Sequence, residues 1–307
     1  MDIVSALASL VRATETGSFS AVARERDVSK AAVARQVAFL EQHFGVRLLH
    51  RTTRKLSLTD DGQMLLGLAR PVLDGVETME AALGKQSASP VGLVRVGIMV
   101  AAGHFLAPRL PALLATRPGL KVELVVSDAV GDMIEDRLDL AMRVGEITDS
   151  SVIARRLGIA ARVVVAAPGY IERHGQPKDP AELKRHACIV HDTGPDSDLW
   201  TFAGPEGPQD VQVSGCILAN DGSAVHLAAR AGYGIALLPL VQVVDDLRKG
   251  DLVRVLSDRP SPGLPFSLVY SSRRHLAPRT RVVMEFIVEE VRQMRATLSA
   301  SSEETIL

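Results

Sequence analysis

The sequence predicts an α + α/β fold, in which an N-terminal helical module and a long helix precede an α/β domain. Three observations predict it. Apolar residues recur at helical spacing up to Phe44, a longer helical stripe containing one proline follows, and strand and helix patterns alternate after Pro90. The 307 residues suit two or three compact units, and 47% apolar with 23% charged residues is typical of globular proteins.

Capping residues and apolar spacing place three helices at the N-terminus. Gly17 is a stop signal for the first helix. Ser18 or Ser20 can cap the second helix, which should run to about Arg26, and Ser29 can cap the third. The residues expected to face the core of this module are Ile3, Leu7, Leu10, Val11, Thr14, Phe19, Val22, Ala23, Val33, Val37, Leu40 and Phe44.

The outer face of the third helix differs from an ordinary solvated surface. Between residues 28 and 59 six basic residues stand against one acid, Glu41, although the formal net charge of the chain is −1. Small residues let a helix approach DNA closely, and cations near its start can contact phosphates and base edges. A purely structural helical bundle would explain the apolar stripe but not this face. The face carries Ala31, Ala34, Arg35, Ala38 and Gln42.

A hairpin and a long helix are predicted next. Two short strands, Arg47–Arg51 and Lys55–Thr59, flank a tip of hydroxyls and a cation that can lie along phosphates or enter the minor groove. Thr59 should cap a helix to about Lys85, which Pro71 would weaken or kink. This helix suits packing on its own domain or, as we favour, pairing with the same helix of another chain. Its apolar positions are Leu65, Leu68, Val72, Val76, Met79 and Leu83.

The N-terminal segment resembles the signature of LysR-type transcriptional regulators, a bacterial family. The run GSFSAVARERDVSKAAVARQVAFLEQHFGVRLLHRTTRKLSLTDDG contains the fragments GSF, VS-x-x-A-V-x-RQ, LE-x-x-x-G-V-x-L and RT-x-R-x-L-x-LT-x-x-G in the family's order and spacing. A match over about 45 residues is far more specific than a short motif. The resemblance implies a winged helix-turn-helix DNA-binding domain at 1–59, a linker/dimerisation helix and hinge at 60–89, and an effector-binding domain at 90–307.

The resemblance also implies which residues contact DNA, and it shows four departures. Lys30, Ala31 and Ala34 stand where the family usually has Gln, Ser and Ser, and Arg26 replaces a usual Leu at the end of the second helix. We expect an altered operator preference from the first three and some loss of local packing from Arg26. The implied DNA-binding residues are Ser29, Lys30, Ala32, Arg35 and Gln36 on the recognition helix, with Arg51, Thr52, Thr53 and Arg54 on the wing.

The resemblance implies double-stranded DNA as a partner. Dimerisation through the linker helix would present two recognition helices to two half-sites, so the operator should be roughly palindromic. The family commonly pairs dimers into homotetramers, and ligand binding would change DNA bending and the access of RNA polymerase. We expect a cytoplasmic protein without membrane contact, because no secretory signal is visible, no apolar stretch approaches a spanning length, and two cysteines suit a reducing compartment.

After Pro90 the predicted strands and helices alternate, as in a parallel α/β sheet. The resemblance adds a two-lobed periplasmic-binding-protein-like α/β sensor domain, with lobe I at about 90–160 and 265–300 and lobe II at about 161–264. The predicted strands are Leu93–Val100, Val122–Val126, Leu138–Met142, Arg162–Ala166, Ile235–Leu238 and Phe266–Tyr270. Helices are predicted around Leu106 to Leu114, over Asp221–Ala231 and at the C-terminal end.

Ligands of open α/β sheets bind beside the carboxyl ends of strands, so a small-molecule effector is expected in the cleft between the lobes. The segment Met99-Val-Ala-Ala102 stands where the family often has hydroxyl residues that hold a carboxylate, so we expect a more apolar ligand. Each position has a structural alternative as a core, capping or turn residue. The expected effector-binding residues are Met99, Val100, Ala101, Ala102, His104, Asp128, Val144, His191, Asn220 and Asp221.

Two other functions remain as alternatives. One is a redox-sensing regulator that uses Cys188 and Cys216, although Cys188 lies in an apolar run that favours a core thiol. The other is an enzyme or a small-molecule binding protein that uses the α/β domain. The sequence lacks a GxGxxG or GKS phosphate loop, a GxSxG elbow and an HExxH zinc motif, so we expect no catalytic residues, no cofactor and no metal.

Overall fold

The structure, a computed structural model, describes residues 2–50, 56–82, 90–129, 133, 136–205, 207–215, 217–271 and 276–304. They form two compact units. The first comprises Met1–Leu93, Arg117–Lys121 and Arg273–Val282, and the second comprises Val94–Thr116, Val122–Ser272 and Val283–Leu307. Each unit has its own core.

Three helices of the first unit begin at the predicted capping residues Ser18, Ser29 and Thr59. Ser18 Oγ accepts a hydrogen bond from the Ala21 amide at 3.3 Å, and Ser29 Oγ accepts one from the Ala32 amide at 3.1 Å. Thr59 Oγ1 accepts from the Gly62 amide at 3.0 Å. These bonds satisfy amides that a helix start leaves without partners. The helices are α1 (Ile3–Thr16), α2 (Phe19–Glu25), α3 (Lys30–Phe44) and α4 (Asp60–Ala82).

The core of the first unit confirms most of the predicted apolar stripe. Leu10, Val22, Val33 and Leu40 are fully buried. The prediction for Phe44 was wrong, because its side chain is 44% exposed. Phe44 is the last residue of α3, where the chain turns at Gly45 with a left-handed φ of 69°. The exposed side chain thus lies at the end of the helix, beyond the part of α3 that packs in the core.

The second unit is a mixed α/β domain. Its helices are α5 (Val100–Leu106), α6 (Leu110–Ala115), α7 (Pro168–His174), α8 (Gly222–Arg230), α9 (Leu240–Lys249) and α10 (Pro278–Glu304), which starts in the first unit. A 3₁₀ helix spans Pro180–Arg185. The strands are β1 (Gly92–Ile98), β2 (Leu120–Val126), β3 (Leu140–Val144), β4 (Val152–Ala160), β5 (Arg162–Ala166), β6 (Cys188–His191), β7 (Leu199–Gly204), β8 (Gly207–Gln212), β9 (Ile217–Ala219), β10 (Ile235–Pro239), β11 (Val253–Arg254) and β12 (Leu264–Ser271).

Two five-stranded sheets form the two lobes of this unit. Their strand orders are β2-β1-β3-β12-β4 and β11-β5-β10-β6-β9, so the chain crosses to the second sheet after β4 and returns with β12. The prediction of a parallel sheet was wrong in part. β1 with β3, and β10 with β6 and β6 with β9, pair in parallel, whereas β12 and β5 pair with their neighbours in antiparallel fashion. The strand that enters each sheet after a crossover, β5 or β12, runs against both of its neighbours.

Candidate nucleic-acid interface and ligand cavity

The exposed face of α3 carries the small residues and cations that the sequence predicts there. Lys30 and Arg35 are exposed, whereas Val33 and Val37 of the opposite face are buried. Ser29 is exposed as well, but its Oγ already accepts from the Ala32 amide. The helix therefore separates the residues that hold it in place from those that can contact a partner.

Glu41, the one acid of the basic stretch, is oriented toward the hairpin. Its Oε1 accepts hydrogen bonds from the Leu48 amide at 2.9 Å and the Leu49 amide at 3.3 Å. The carboxylate thus fixes the start of the hairpin on the end of α3. Glu41 is only partly exposed, and its Oε1 is bonded to the hairpin, so this acid has a structural role at the end of α3.

A polar connection links the three N-terminal helices through a fully buried hydroxyl. Arg26 Nη1 donates to the Ser5 carbonyl oxygen at 3.0 Å and to Ser9 Oγ at 2.5 Å. Ser9 Oγ in turn donates to Gln36 Oε1 at 2.5 Å. The packing loss expected at Arg26 is thus offset by hydrogen bonds, since the guanidinium finds acceptors on α1. Gln36 is held by its amide oxygen, which leaves its amide nitrogen outside this connection.

The predicted hairpin is present at its base. Leu49 and Leu58 form an antiparallel bridge, and the His50 amide donates to the Ser57 carbonyl oxygen at 2.9 Å. The four wing residues expected to contact DNA lie outside the described residues. They are Arg51, Thr52, Thr53 and Arg54.

α4 buries one apolar face and exposes another. Leu66 and Ala69 are buried against α1, with Leu65 and Leu73 packed at the edge of the same core. Four exposed apolar side chains of this helix are spaced four, four and seven residues apart, with Gly75 between the last two. This spacing places them on one stripe along the helix. They are Met64, Leu68, Val72 and Met79, with exposed fractions of 68%, 64%, 50% and 59%.

The second unit contains a cavity of about 450 Å³, a size that suits a small organic molecule. It lies beside the carboxyl ends of β1 and β3 in one lobe and of β6 and β10 in the other. Five of the ten expected effector-binding residues line it: Met99, Ala101, Asp128, Val144 and His191.

The other five expected residues do not line this cavity. The Val100 amide is hydrogen-bonded to Asp128, and Ala102 is buried within α5. His104 and Asn220 are exposed elsewhere, and Asp221 caps α8 by accepting from the amides of the next turn at 2.7 and 3.0 Å. Val100, Ala102 and Asp221 thus have structural contacts, and a role of any of the five in effector binding stays a prediction.

Asp128 joins the two lobes through its carboxylate. Oδ1 accepts from the Val100 amide at 2.9 Å, and Oδ2 accepts from the Gly222 amide at 2.8 Å and shares a 3.1 Å hydrogen bond with His191 Nε2. Burial by itself would raise the pKa of Asp128, but the bonds from His191, Gly222 and Val100 outweigh it and lower that pKa. A Cβ at Gly222 would lie 3.2 Å from Oδ2, so the close approach favours glycine there.

Two arginines that line the cavity were not predicted there: Arg143 was expected to be a structural ion-pair partner of a neighbouring acid, and Arg162 was not singled out. Arg162 lies at the start of β5, whereas ligand-binding residues were predicted only at the carboxyl ends of strands. Antiparallel pairing places Arg162 opposite Pro239 at the carboxyl end of β10. The available signal was a single cation at the head of the apolar strand Arg162–Ala166.

The structure does not favour redox sensing by Cys188. Its thiol is fully buried in the core of the second lobe, and burial raises the pKa of Cys188 to about 12. A thiol that stays protonated is a poor nucleophile toward oxidants. Cys216, the proposed partner, lies outside the described residues.

A basic recognition helix with a hairpin in one unit and a ligand-sized cavity in the other define a DNA-binding transcriptional regulator with an effector-binding domain. Two family models match the chain. "Bacterial regulatory helix-turn-helix protein, lysR family" matches residues 4–63, and "LysR substrate binding domain" matches residues 87–292. The chain belongs to the LysR family of transcriptional regulators. These regulators bind DNA and small-molecule effectors and form oligomers, and the family is one of regulators and not of enzymes.

Individual relatives resemble the chain along nearly its whole length. The HTH-type transcriptional regulator DmlR of Escherichia coli is 34% identical, over 88% of this chain and 88% of its own. The solved structure of CrgA from Neisseria meningitidis is 32% identical with a TM-score of 0.62, over 94% of this chain and 98% of that one. The full-length Vibrio cholerae virulence activator AphB is 27% identical with a TM-score of 0.59, over 94% and 99%. None of the helices formed by the described residues has the length and apolar character needed to cross a membrane.

Proposed function

We propose that this regulator binds operator DNA through the start of α3 and the wing, and that a small molecule in the cavity modulates this binding. The observation that carries the proposal is the exposed face of α3, where Lys30 and Arg35 project beside small residues while Glu41 is bonded to the hairpin. Such a helix can enter the major groove, and its cations can reach phosphates and base edges. The proposed contacts are Ser29, Lys30, Ala32, Arg35, Gln36, Arg51, Thr52, Thr53 and Arg54.

We further propose that the protein acts in the cytoplasm as a homodimer joined through α4, and that two dimers form a homotetramer. The exposed stripe of Met64, Leu68, Val72 and Met79 supports pairing with a second copy, because apolar side chains at this spacing are buried when two helices pack. A two-fold dimer places two recognition helices on a roughly palindromic operator. The effector then acts by binding one arrangement of the oligomer more tightly than another, which changes DNA bending and the access of RNA polymerase.

The test of DNA binding is a mobility shift on the promoter region beside the protein's own gene, measured across a salt series. Arg35→Ala should weaken specific binding by about 5- to 150-fold, which corresponds to about 1–3 kcal/mol for a base contact, or reduce the salt slope by about 0.9 for a phosphate contact. Lys249→Ala, at an exposed cation of α9, is the matched control and should leave both quantities unchanged. Equal binding by the wild type and Arg35→Ala would remove α3 from the interface.

A further inference from the structure

Two arginines and two carboxylates are among the described residues that line the cavity. Arg143 and Arg162 line the cavity together with the carboxylates of Asp128 and Asp196. Asp128 accepts two backbone amides and bonds to His191, and Asp196 is exposed at the rim. Neither carboxylate forms an ion pair with an arginine among the described residues.

The hydrogen bonding of the Arg162 guanidinium is incomplete among the described residues. Its Nη2 donates to Ser261 Oγ at 3.2 Å and to the Pro262 carbonyl oxygen at 3.3 Å, and both acceptors are neutral. Its Nε is buried without a hydrogen-bond acceptor in the part of the chain that the structure describes. Burial lowers the pKa of the Arg162 guanidinium, and no described carboxylate opposes this effect. Arg162 is partly buried, and no described anion offsets the cost of that burial, so the site favours a negatively charged ligand.

Gln242 and Ser127, two other polar residues that line the cavity, have hydrogen-bond partners. Gln242 Nε2 donates to the Gly222 carbonyl oxygen at 2.8 Å, and Ser127 Oγ accepts from the Ala129 amide at 3.1 Å. The Val100 amide, which opens α5 beside the cavity, is taken by Asp128.

The rest of the wall is largely apolar, with Met99, Met142, Val144, Trp200 and Leu264 among the lining residues. We propose that the cavity binds a small organic acid with an apolar body, and that Arg162 is the residue that pairs with its carboxylate. A guanidinium offers two parallel donors to a carboxylate, which gives both charge and orientation. This deepens the proposed function and revises the sequence-based expectation of a mainly apolar ligand.

The test compares acids with their neutral amides on the full-length protein without DNA. Benzoate with benzamide, and hexanoate with hexanamide, are titrated by calorimetry and by thermal shift. The acids should bind and the amides should bind at least about tenfold more weakly, since the amide cannot form the charged pair. Equal binding of acid and amide, or no binding by either acid, would overturn the proposal without needing any variant.

Arg162→Gln tests whether Arg162 is the cation that pairs with the carboxylate of the ligand, and Arg254→Gln is its matched control. Burial lowers the pKa of Arg254 as well, but Arg254 does not line the cavity. Arg162→Gln should weaken benzoate or hexanoate binding at least about tenfold, and Arg254→Gln should not. An unchanged affinity in Arg162→Gln would also overturn the proposal. Operator binding by the wild type is measured separately, so a failed ligand class and a failed regulator function are distinguishable.

Discussion

Replacing Asp128 with asparagine should lower the stability of the effector-binding domain by changing one side-chain atom. The side chain keeps its size, so packing is preserved, but one of its two acceptor oxygens becomes an NH₂ group. The Asp128 carboxylate receives the Val100 amide on Oδ1, and the Gly222 amide and His191 on Oδ2. An asparagine whose oxygen points toward Gly222 and His191 loses the fewest hydrogen bonds. Its NH₂ group then meets only one donor, the Val100 amide, which is left without an acceptor.

The size of the effect follows from these bonds. A buried N–H left without an acceptor costs about 1–3 kcal/mol, and a bond to a charged acceptor contributes about 1.5–3 kcal/mol. Asp128→Asn loses the bond to the Val100 amide and the charge component of the bonds to Gly222 and His191. We expect the free energy of unfolding of this domain to fall by about 2–4 kcal/mol at pH 7.

The effect should depend on pH in a defined direction. The pKa of Asp128 is lowered in the folded state, so its contribution to stability is complete above the unfolded value of about 3.9 and is lost as pH falls through the folded value. The asparagine variant has no such contribution. The difference between wild type and Asp128→Asn should therefore be largest near pH 7 and shrink below about pH 4.

Urea unfolding followed by tryptophan fluorescence measures this difference, because Trp200 is the only tryptophan in the sequence and is buried in this domain. Asp196→Asn is the matched control, since Asp196 also lines the cavity but is exposed. A deficit below about 0.5 kcal/mol in Asp128→Asn at pH 7, or one that persists unchanged in acid, would refute the reasoning.

Three other changes test separate features. Arg26→Leu removes the donor to Ser5 and Ser9 and should destabilise the N-terminal module by about 1–2 kcal/mol, seen as faster amide exchange in α2; unchanged exchange would contradict it. Leu68→Glu places a charge on the exposed stripe of α4 and should raise the dimer dissociation constant in sedimentation equilibrium, whereas an unchanged constant would remove the stripe from the interface. Cys188 should resist iodoacetamide in the folded protein at pH 8 because its pKa is about 12, and labelling located there by mass spectrometry would refute this.

Local signals explain why the N-terminal module was predictable. The hydroxyls of Ser18, Ser29 and Thr59 cap their helices as expected, because a helix start can be read from a few neighbouring residues. The prediction for Phe44 fails because periodicity gives the face of a helix but not how far the core extends along it, and Phe44 at the last position of α3 is 44% exposed.

The cavity was harder to predict because it depends on strand pairing. The strand Arg162–Ala166 was predicted with its observed bounds, yet only its antiparallel pairing with β10 brings Arg162 to the cavity. β4 was missed because Arg155 and Arg156 interrupt its apolar pattern. α9 was not predicted, although the helical spacing of its apolar residues is a sufficient signal for it. These residues are Leu240, Val243, Val244 and Leu247.

The separation of structural and exposed residues on α3 affects how the operator preference of this protein can evolve. The residues that hold the helix, from the Ser29 cap to Val33, Val37 and Glu41, differ from the exposed positions Lys30, Ala31 and Arg35. Surface substitutions away from caps and buried contacts usually change stability by less than about 0.5 kcal/mol. A library randomised at the exposed positions should therefore yield mostly folded proteins. New operator preferences can then arise by single substitutions, without compensating substitutions that restore stability.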